Sequence, residues 1–298
     1  MSNRRSDLYR EAIRASVFGL IVNVLLGIVK LISGIVGGSY ALISDAVNSI
    51  GDSLTSLVVT FALFFSQRPA DREHPYGHTR AEAIAASNVA LVIILSAFYV
   101  AWGAIQRFSE PHEIPPVWTL WVAGLNVFIK EGLYRYKLKV GQKTGSTAIL
   151  ANAWDHRSDA LCSLAVFAGL SIIRWGGPAY LWIDECAAIL VSLVILWNGF
   201  HLFQKSASEL MDVQADDGFI EQIKQRAEEV EGVQEVETLW VRKSGLEFFV
   251  DIHIEVDARL TVAEGHLIGH QVKDRLLQDF SSLRDVLVHL EPHPHERH

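Results

Sequence analysis

Cysteine is almost absent from this chain: there are two in 298 residues, Cys162 and Cys186, and both sit inside apolar runs. A disulfide framework and a Cys-x-x-Cys metal site are thereby excluded. Basic charge is also short, with 26 Lys and Arg against 34 Asp and Glu, for a formal net charge of −8. A nucleic-acid binder calls for a basic face, so no nucleic-acid partner is expected. Charge of either sign is missing from Ile84 to Gln106. That stretch is long enough to cross about 30 Å of hydrocarbon.

What is present divides along the chain. Mean hydropathy is +0.23 and half the residues are hydrophobic, yet a fifth are charged. The two classes are segregated: residues 11–205 hold the long apolar runs, and residues 206–298 read as a soluble domain. Six spans can be counted, at about 12–36, 40–66, 82–107, 115–135, 146–174 and 179–204. The polar stretch Met1 to Arg14 leads into a run too long for a signal peptide, so the first span stays in the bilayer. Arg4, Arg5, Arg10, Arg14, Arg68, Arg72, Arg80, Arg135, Lys137, Lys139, Lys143 and Lys205 fall on one side, against Arg107 and Arg174 on the other. The positive-inside rule then makes both termini cytoplasmic. The boundary expected from this pattern is a transmembrane domain over 1–207 and a cytoplasmic domain over 208–298.

The tail alternates as a small α+β unit. Phe219, Ile220, Ile223, Ala227 and Val230 share one helical stripe within Asp216 to Glu231. Val236 to Val241 and Phe248 to Val256 read as strands around a Lys243-Ser244-Gly245 turn. Thr261 to Phe280 reads as a second helix and Asp285 to Leu290 as a third strand. The order αββαβ predicts helices on one face of a sheet.

Three clusters carry chemistry. Asn48 and Asp52 are four apart in the second span and share one helix face, with Asp45 a turn earlier. Asp155 and Asp159 repeat that spacing in the fifth span. Two such helices can close a four-ligand oxygen cage around a cation. An Asp at the bilayer centre costs roughly 2.5–3.5 kcal/mol, so idle carboxylates are not expected there. The plain alternative is a buried polar contact between helices. After span two, Asp71, His74 and His78 have the mix and spacing of a surface metal site. The plain alternative is an ordinary polar loop.

With these pieces together, the chain resembles the cation diffusion facilitator family of divalent-metal transporters, from about residue 12 to 292. The resemblance rests on the paired four-spaced ligands, the D-x-x-H-x-x-x-H loop followed by Arg80-Ala81-Glu82, the six spans and the αββαβ tail. It implies a helical membrane protein with a metallochaperone-like cytoplasmic domain. The implied activity is export of divalent cations from the cytoplasm in exchange for protons, as a homodimer in the cytoplasmic membrane. Asn48, Asp52, Asp155 and Asp159 take the positions of the transport site, and Asp71, His74 and His78 those of the loop site. His253, His266, His289 and Glu291 take those of the cytoplasmic-domain ligands, where metal is expected to be structural. Gln234 stands where relatives often place another His. Arg80 and Asp212 match a charge pair that pins the dimer's helices together in relatives. Trp154 occupies a position that could plug the path to the site, or simply pack. His293, His295 and His298 read as loose tail.

Zinc-type members of the family place His or Asp where this chain has Asn48, and His where it has Asp155. One Asn and three Asp offer oxygen alone, which suits Mn²⁺, whereas imidazole recruits Zn²⁺ and its neighbours. The combination resembles the manganese-type branch of the family. The expected cargo is Mn²⁺ first, Fe²⁺ second and Zn²⁺ third. Two other classes compete: an intramembrane aspartyl protease, and a metal sensor or channel without coupled transport. The protease needs two carboxylates sharing one proton. It gives no role to Asp71, His74 and His78.

Overall fold

The structure is a computed structural model describing residues 2–66, 68, 70–108, 113–144, 147–245 and 247–293. The side chains of Arg4, Arg5 and Arg10, and the whole of His295 and His298, lie outside the described residues. Six long helices come first: α1 Ser2–Gly37, α2 Tyr40–Ser66, α3 Ala81–Arg107, α4 Val117–Thr144, α5 Thr147–Gly176 and α6 Trp182–Leu210. Among the described residues, Val17–Gly37, Ala81–Arg107, Asn152–Gly176 and Pro178–Leu210 are long and apolar enough to cross a membrane. α4 runs well past the expected end near residue 135. The remaining elements are α7 Asp217–Glu228, β1 Glu235–Ser244, β2 Glu247–Asp257, α8 Val262–Asp279 and β3 Leu283–His293. By internal packing the chain forms two compact units. One holds Met1–Val58 with Asn88–Phe203, and the other Val59–Ser87 with Gln204–His298.

In the first unit a buried carboxylate fixes the α1–α2 corner. α1 ends at Gly37, and Gly38 takes φ +64°, a left-handed conformation that glycine adopts without a Cβ clash. α2 then starts with backbone N–H groups that have no helical partner. Asp184 of α6 supplies one: its Oδ2 accepts from Tyr40 N at 2.6 Å and Ala41 N at 3.3 Å, while Oδ1 accepts from Ser39 Oγ at 2.6 Å. A negative group at the positive end of a helix is favourable as well. The corner therefore sets where the α2 ligands stand. Below it, Ala41, Leu42, Ala97, Ala123, Val166, Leu170 and Val191 form an apolar core shared by five helices.

In the second unit the sheet order is β1-β2-β3, with β1 antiparallel and β3 parallel to β2. Alternation puts Val250, Ile252 and Ile254 of β2 into a core with Ile223 and Ala227 of α7 and Val272 and Leu276 of α8. His253 falls on the other face, beside His289 in the parallel register. The β1–β2 connection turns at Gly245, φ +62°, whose N–H donates to Glu209 Oε1 at 2.6 Å. α8 opens on a capping box, Thr261 Oγ1 accepting from Glu264 N while Glu264 Oε2 accepts from Thr261 N. Ile252 is fully buried at the centre of this core. Ile252→Ala is expected to lower the stability of the cytoplasmic domain by about 2–5 kcal/mol in a denaturant titration followed by far-UV circular dichroism. A loss below about 0.5 kcal/mol would place Ile252 outside the core.

Candidate metal centre

The α2 pair meets α5 through Asn48. Its amide Nδ2 donates to Asp159 Oδ1 at 2.7 Å and stands 3.4 Å from Asp52 Oδ2. Three of the four expected ligands are thus brought together, with Asn48 and Asp159 buried. The fourth is not. Asp155 is exposed and hydrogen-bonds Asn152 on its own helix. The buried stripe of α5 runs through Ala153, His156, Asp159, Ala160 and Ser163, and Asp155 lies at its edge.

His156 takes the inward position instead. Its Nε2 is 2.9 Å from Lys137 Nζ, and its Nδ1, without a hydrogen-bond partner, is 4.0 Å from Asp159 Oδ2. An ammonium only donates, so Nε2 accepts and the ring proton is assigned to Nδ1. In that tautomer the imidazole turns no lone pair toward the cage. Lys137 also donates to Asn152 Oδ1.

Two further buried lysines, beside Lys137, complete the surroundings, and neither was singled out from the sequence. Lys130 Nζ donates to Asp159 Oδ2 at 2.6 Å and to Asn23 Oδ1. Lys30 Nζ lies 3.2 Å from Asp45 Oδ2 and donates to Ser49 Oγ at 2.6 Å. Asp45 is thereby occupied elsewhere: its Oδ2 also accepts from Ser163 Oγ at 2.8 Å. The available signal was a lysine inside a spanning helix, as costly there as an aspartate.

The loop after α2 holds its three expected residues together. Asp71 Oδ1 lies 3.3 Å from His74 Nδ1, and Asp71 Oδ2 lies 3.5 Å from His78 Nε2. The three ligand atoms fall within 4.8 Å of one another. The backbone N–H of His74 donates to Asp71 Oδ1 at 2.7 Å, and that of Glu73 does so at 2.9 Å. These N–H groups, His74 first, hold the Asp71 carboxyl below the usual carboxylate range. The group is therefore ionised, as a ligand must be. Arg80 and Asp212 form the expected ion pair, here within one chain. Trp154 is exposed and packs its ring 5.5 Å from that of Tyr134.

On the sheet, His289 Nε2 and His253 Nδ1 lie 3.0 and 3.6 Å from Glu291 Oε1. These three converge within 4.8 Å. His266 is not among them: it sits on α8, its Nε2 3.1 Å from that of His270. His293 is not loose tail but the last residue of β3, its Nδ1 2.5 Å from Glu255 Oε2. A cation that binds this cluster in the folded state should raise the melting temperature by mass action. His253→Ala combined with His289→Ala is expected to remove that rise at the cytoplasmic domain's transition in a metal titration. An unchanged rise would make the cluster a surface feature.

The description "cation efflux transmembrane domain" matches residues 16–211, and "cation efflux protein, cytoplasmic domain" matches residues 215–293. Similar proteins include the manganese efflux system protein MneP of Bacillus subtilis, 30% identical over 297 residues, covering 98% of this chain and 99% of that protein. The manganese efflux system protein MneS of the same organism is 31% identical, covering 97% and 98% respectively. Metal tolerance protein 2 of Oryza sativa is 31% identical over 91% of this chain and 76% of its own.

Proposed function

The chain belongs to the cation efflux family, the cation diffusion facilitators, and from that premise we propose that it exports Mn²⁺ from the cytoplasm in exchange for protons. It is a membrane transporter and not an enzyme. Asn48, Asp52 and Asp159 are the ligands of the transported ion in this reading, with Asp155 joining in another stage of the cycle. The working unit is a homodimer in the cytoplasmic membrane. Both termini are cytoplasmic, the transport domain covers 1–207, and the metal-binding domain covers 208–298.

The observation that carries this reading is the Asn48–Asp159 contact between α2 and α5, with Asp52 beside it. The carboxylates offer oxygen, the Asn48 amide can add its own by turning its NH₂ away from them, and His156 is engaged by Lys137. Raw affinity would favour Zn²⁺ over Mn²⁺ at nearly any site, so oxygen ligands act on discrimination rather than strength. Mg²⁺ gives up water reluctantly, and Ca²⁺ takes 6–8 ligands in typical sites, which disfavours both. Two relatives are named as manganese efflux proteins, which supports Mn²⁺ as the first choice, and ligand hardness ranks Fe²⁺ second and Zn²⁺ third. Asp52, Asp155 and Asp159 are the groups of the cage able to carry protons, since Asn48 cannot titrate. In this cycle cytoplasmic metal displaces protons, the helices rearrange, and external protons displace the metal.

Reconstituted vesicles with an imposed pH gradient test the proposal. Mn²⁺ flux should follow the gradient, and collapsing the gradient should reduce it at least tenfold. Flux indifferent to pH would indicate uncoupled conduction. Rapid Zn²⁺ flux with no Mn²⁺ flux would overturn the metal ranking.

A further inference from the structure

Both carboxylate oxygens of Asp159 are engaged, and one is held by a cation the protein itself carries. Oδ1 accepts from Asn48 at 2.7 Å and Oδ2 from Lys130 at 2.6 Å. Lys130 is fully buried, so water does not screen the pair. Its other partner is Asn23 Oδ1. That amide is oriented from behind, because Asn23 Nδ2 donates to Ser49 O and Ser53 Oγ, both at 3.0 Å. The oxygen of Asn23 is therefore fixed toward the ammonium, while the lysine stem is a flexible four-carbon chain.

We propose that Lys130 is a tethered competitor of the transported ion, whose ammonium occupies Asp159 when the site is empty and withdraws toward Asn23 when metal enters. This rests on Asn48, Asp52 and Asp159 forming the transport site. An ammonium and a divalent ion on one carboxylate repel strongly in a weakly screened interior, so the two states exclude each other. Displacing the ammonium lowers the apparent affinity for metal, and its return helps metal leave. The empty site is kept from holding an uncompensated buried carboxylate, which would be strongly destabilising. Lys30 does not substitute, being committed to Asp45 and Ser49. His156 does not either, its Nε2 being held by Lys137.

The test uses the full-length protein in detergent with Mn²⁺ as the probe. The background carries Asp71→Ala and His289→Ala, which removes the loop and sheet clusters. Lys130→Met is expected to bind Mn²⁺ at least tenfold more tightly, to melt at a lower temperature without metal, and to gain more from metal than the parent. In vesicles its turnover should fall despite tighter binding. Lys130→Arg, which keeps the charge, should stay near the parent affinity. Should Lys130→Met not fold without metal, Asn23→Leu gives the independent measurement. It removes the acceptor toward which the ammonium withdraws, and Mn²⁺ binding should weaken severalfold.

Equal or weaker Mn²⁺ binding in folded Lys130→Met would overturn the proposal, as would unweakened binding in Asn23→Leu. A purely structural role for Lys130 predicts lower stability with no gain in affinity. Asp159→Asn separates the two levels of inference. If it abolishes binding while Lys130→Met leaves affinity unchanged, the competitor role fails and the site stands. If Asp159→Asn binds Mn²⁺ normally, the site itself is misassigned.

Discussion

Asp159→Ala is expected to abolish Mn²⁺ transport, lowering flux at least 100-fold in reconstituted vesicles, while the protein still inserts. Asp159 is the hub of the membrane cluster, contacted by Asn48 from α2 and Lys130 from α4. Its loss removes a carboxylate from that cluster, and it leaves the Lys130 ammonium buried without a counter-charge, its remaining partner being Asn23 Oδ1. Breaking a buried pair in this way costs about 3–5 kcal/mol, so some loss of stability is expected too. Asp159→Asn keeps the shape and isolates the ligand effect. Asp52→Ala should match it in flux without stranding a lysine. The measurement is Mn²⁺ uptake normalised to reconstituted protein, and flux near the parent level in either aspartate variant would remove the site assignment.

The second large effect concerns which metal moves. Asn48→His together with Asp155→His is expected to raise the ratio of Zn²⁺ to Mn²⁺ flux at least tenfold, since two imidazoles replace two oxygen ligands. The geometry also apportions the effect. Asn48 touches both Asp52 and Asp159, whereas Asp155 is exposed at the edge of the α5 stripe. Asn48→His alone should therefore shift selectivity more than Asp155→His alone. Competitive uptake with both metals present measures this directly. An unchanged ratio in the double variant would refute the argument from ligand hardness.

Much of this was legible in the sequence. The i,i+4 spacing of Asn48 and Asp52 guaranteed a shared face, and the structure indeed sets that face against α5. The period-2 pattern of β2 separated Ile252 and Ile254 from His253, and the sheet keeps them on opposite faces. The same spacing argument did not locate Asp155. Four-residue spacing says that Asp155 and Asp159 lie near one stripe, but only the neighbouring helices decide which flank of that stripe is buried. Packing selects the flank through His156. Nor did spacing find Lys130, because its partners Asn23 and Asp159 come from α1 and α5, at separations no local pattern encodes. The convergence of His253, His289 and Glu291 follows from the parallel β2–β3 register, which likewise joins distant segments. Resemblance groups His266 with them, whereas within this chain its ring lies against His270.

Two of the buried lysines, Lys30 and Lys130, bear on how the chain enters the bilayer. Lys30 of α1 pairs with Asp45 of α2, and Lys130 of α4 pairs with Asp159 of α5. In each case the partner lies on the very next helix in the chain. A lone charge at the centre of a spanning helix carries an insertion cost of roughly 2.5–3.5 kcal/mol, and each of these helices would meet it if it partitioned by itself. Delivered as helical hairpins, α1 with α2 and α4 with α5, the opposite charges neutralise each other before either must face lipid. A nascent chain ending at Thr144 holds Lys130 with Asp159 not yet made. Stable integration of α4 should thus wait for the synthesis of α5, coupling the pairing of Lys130 with Asp159 to the order of translation.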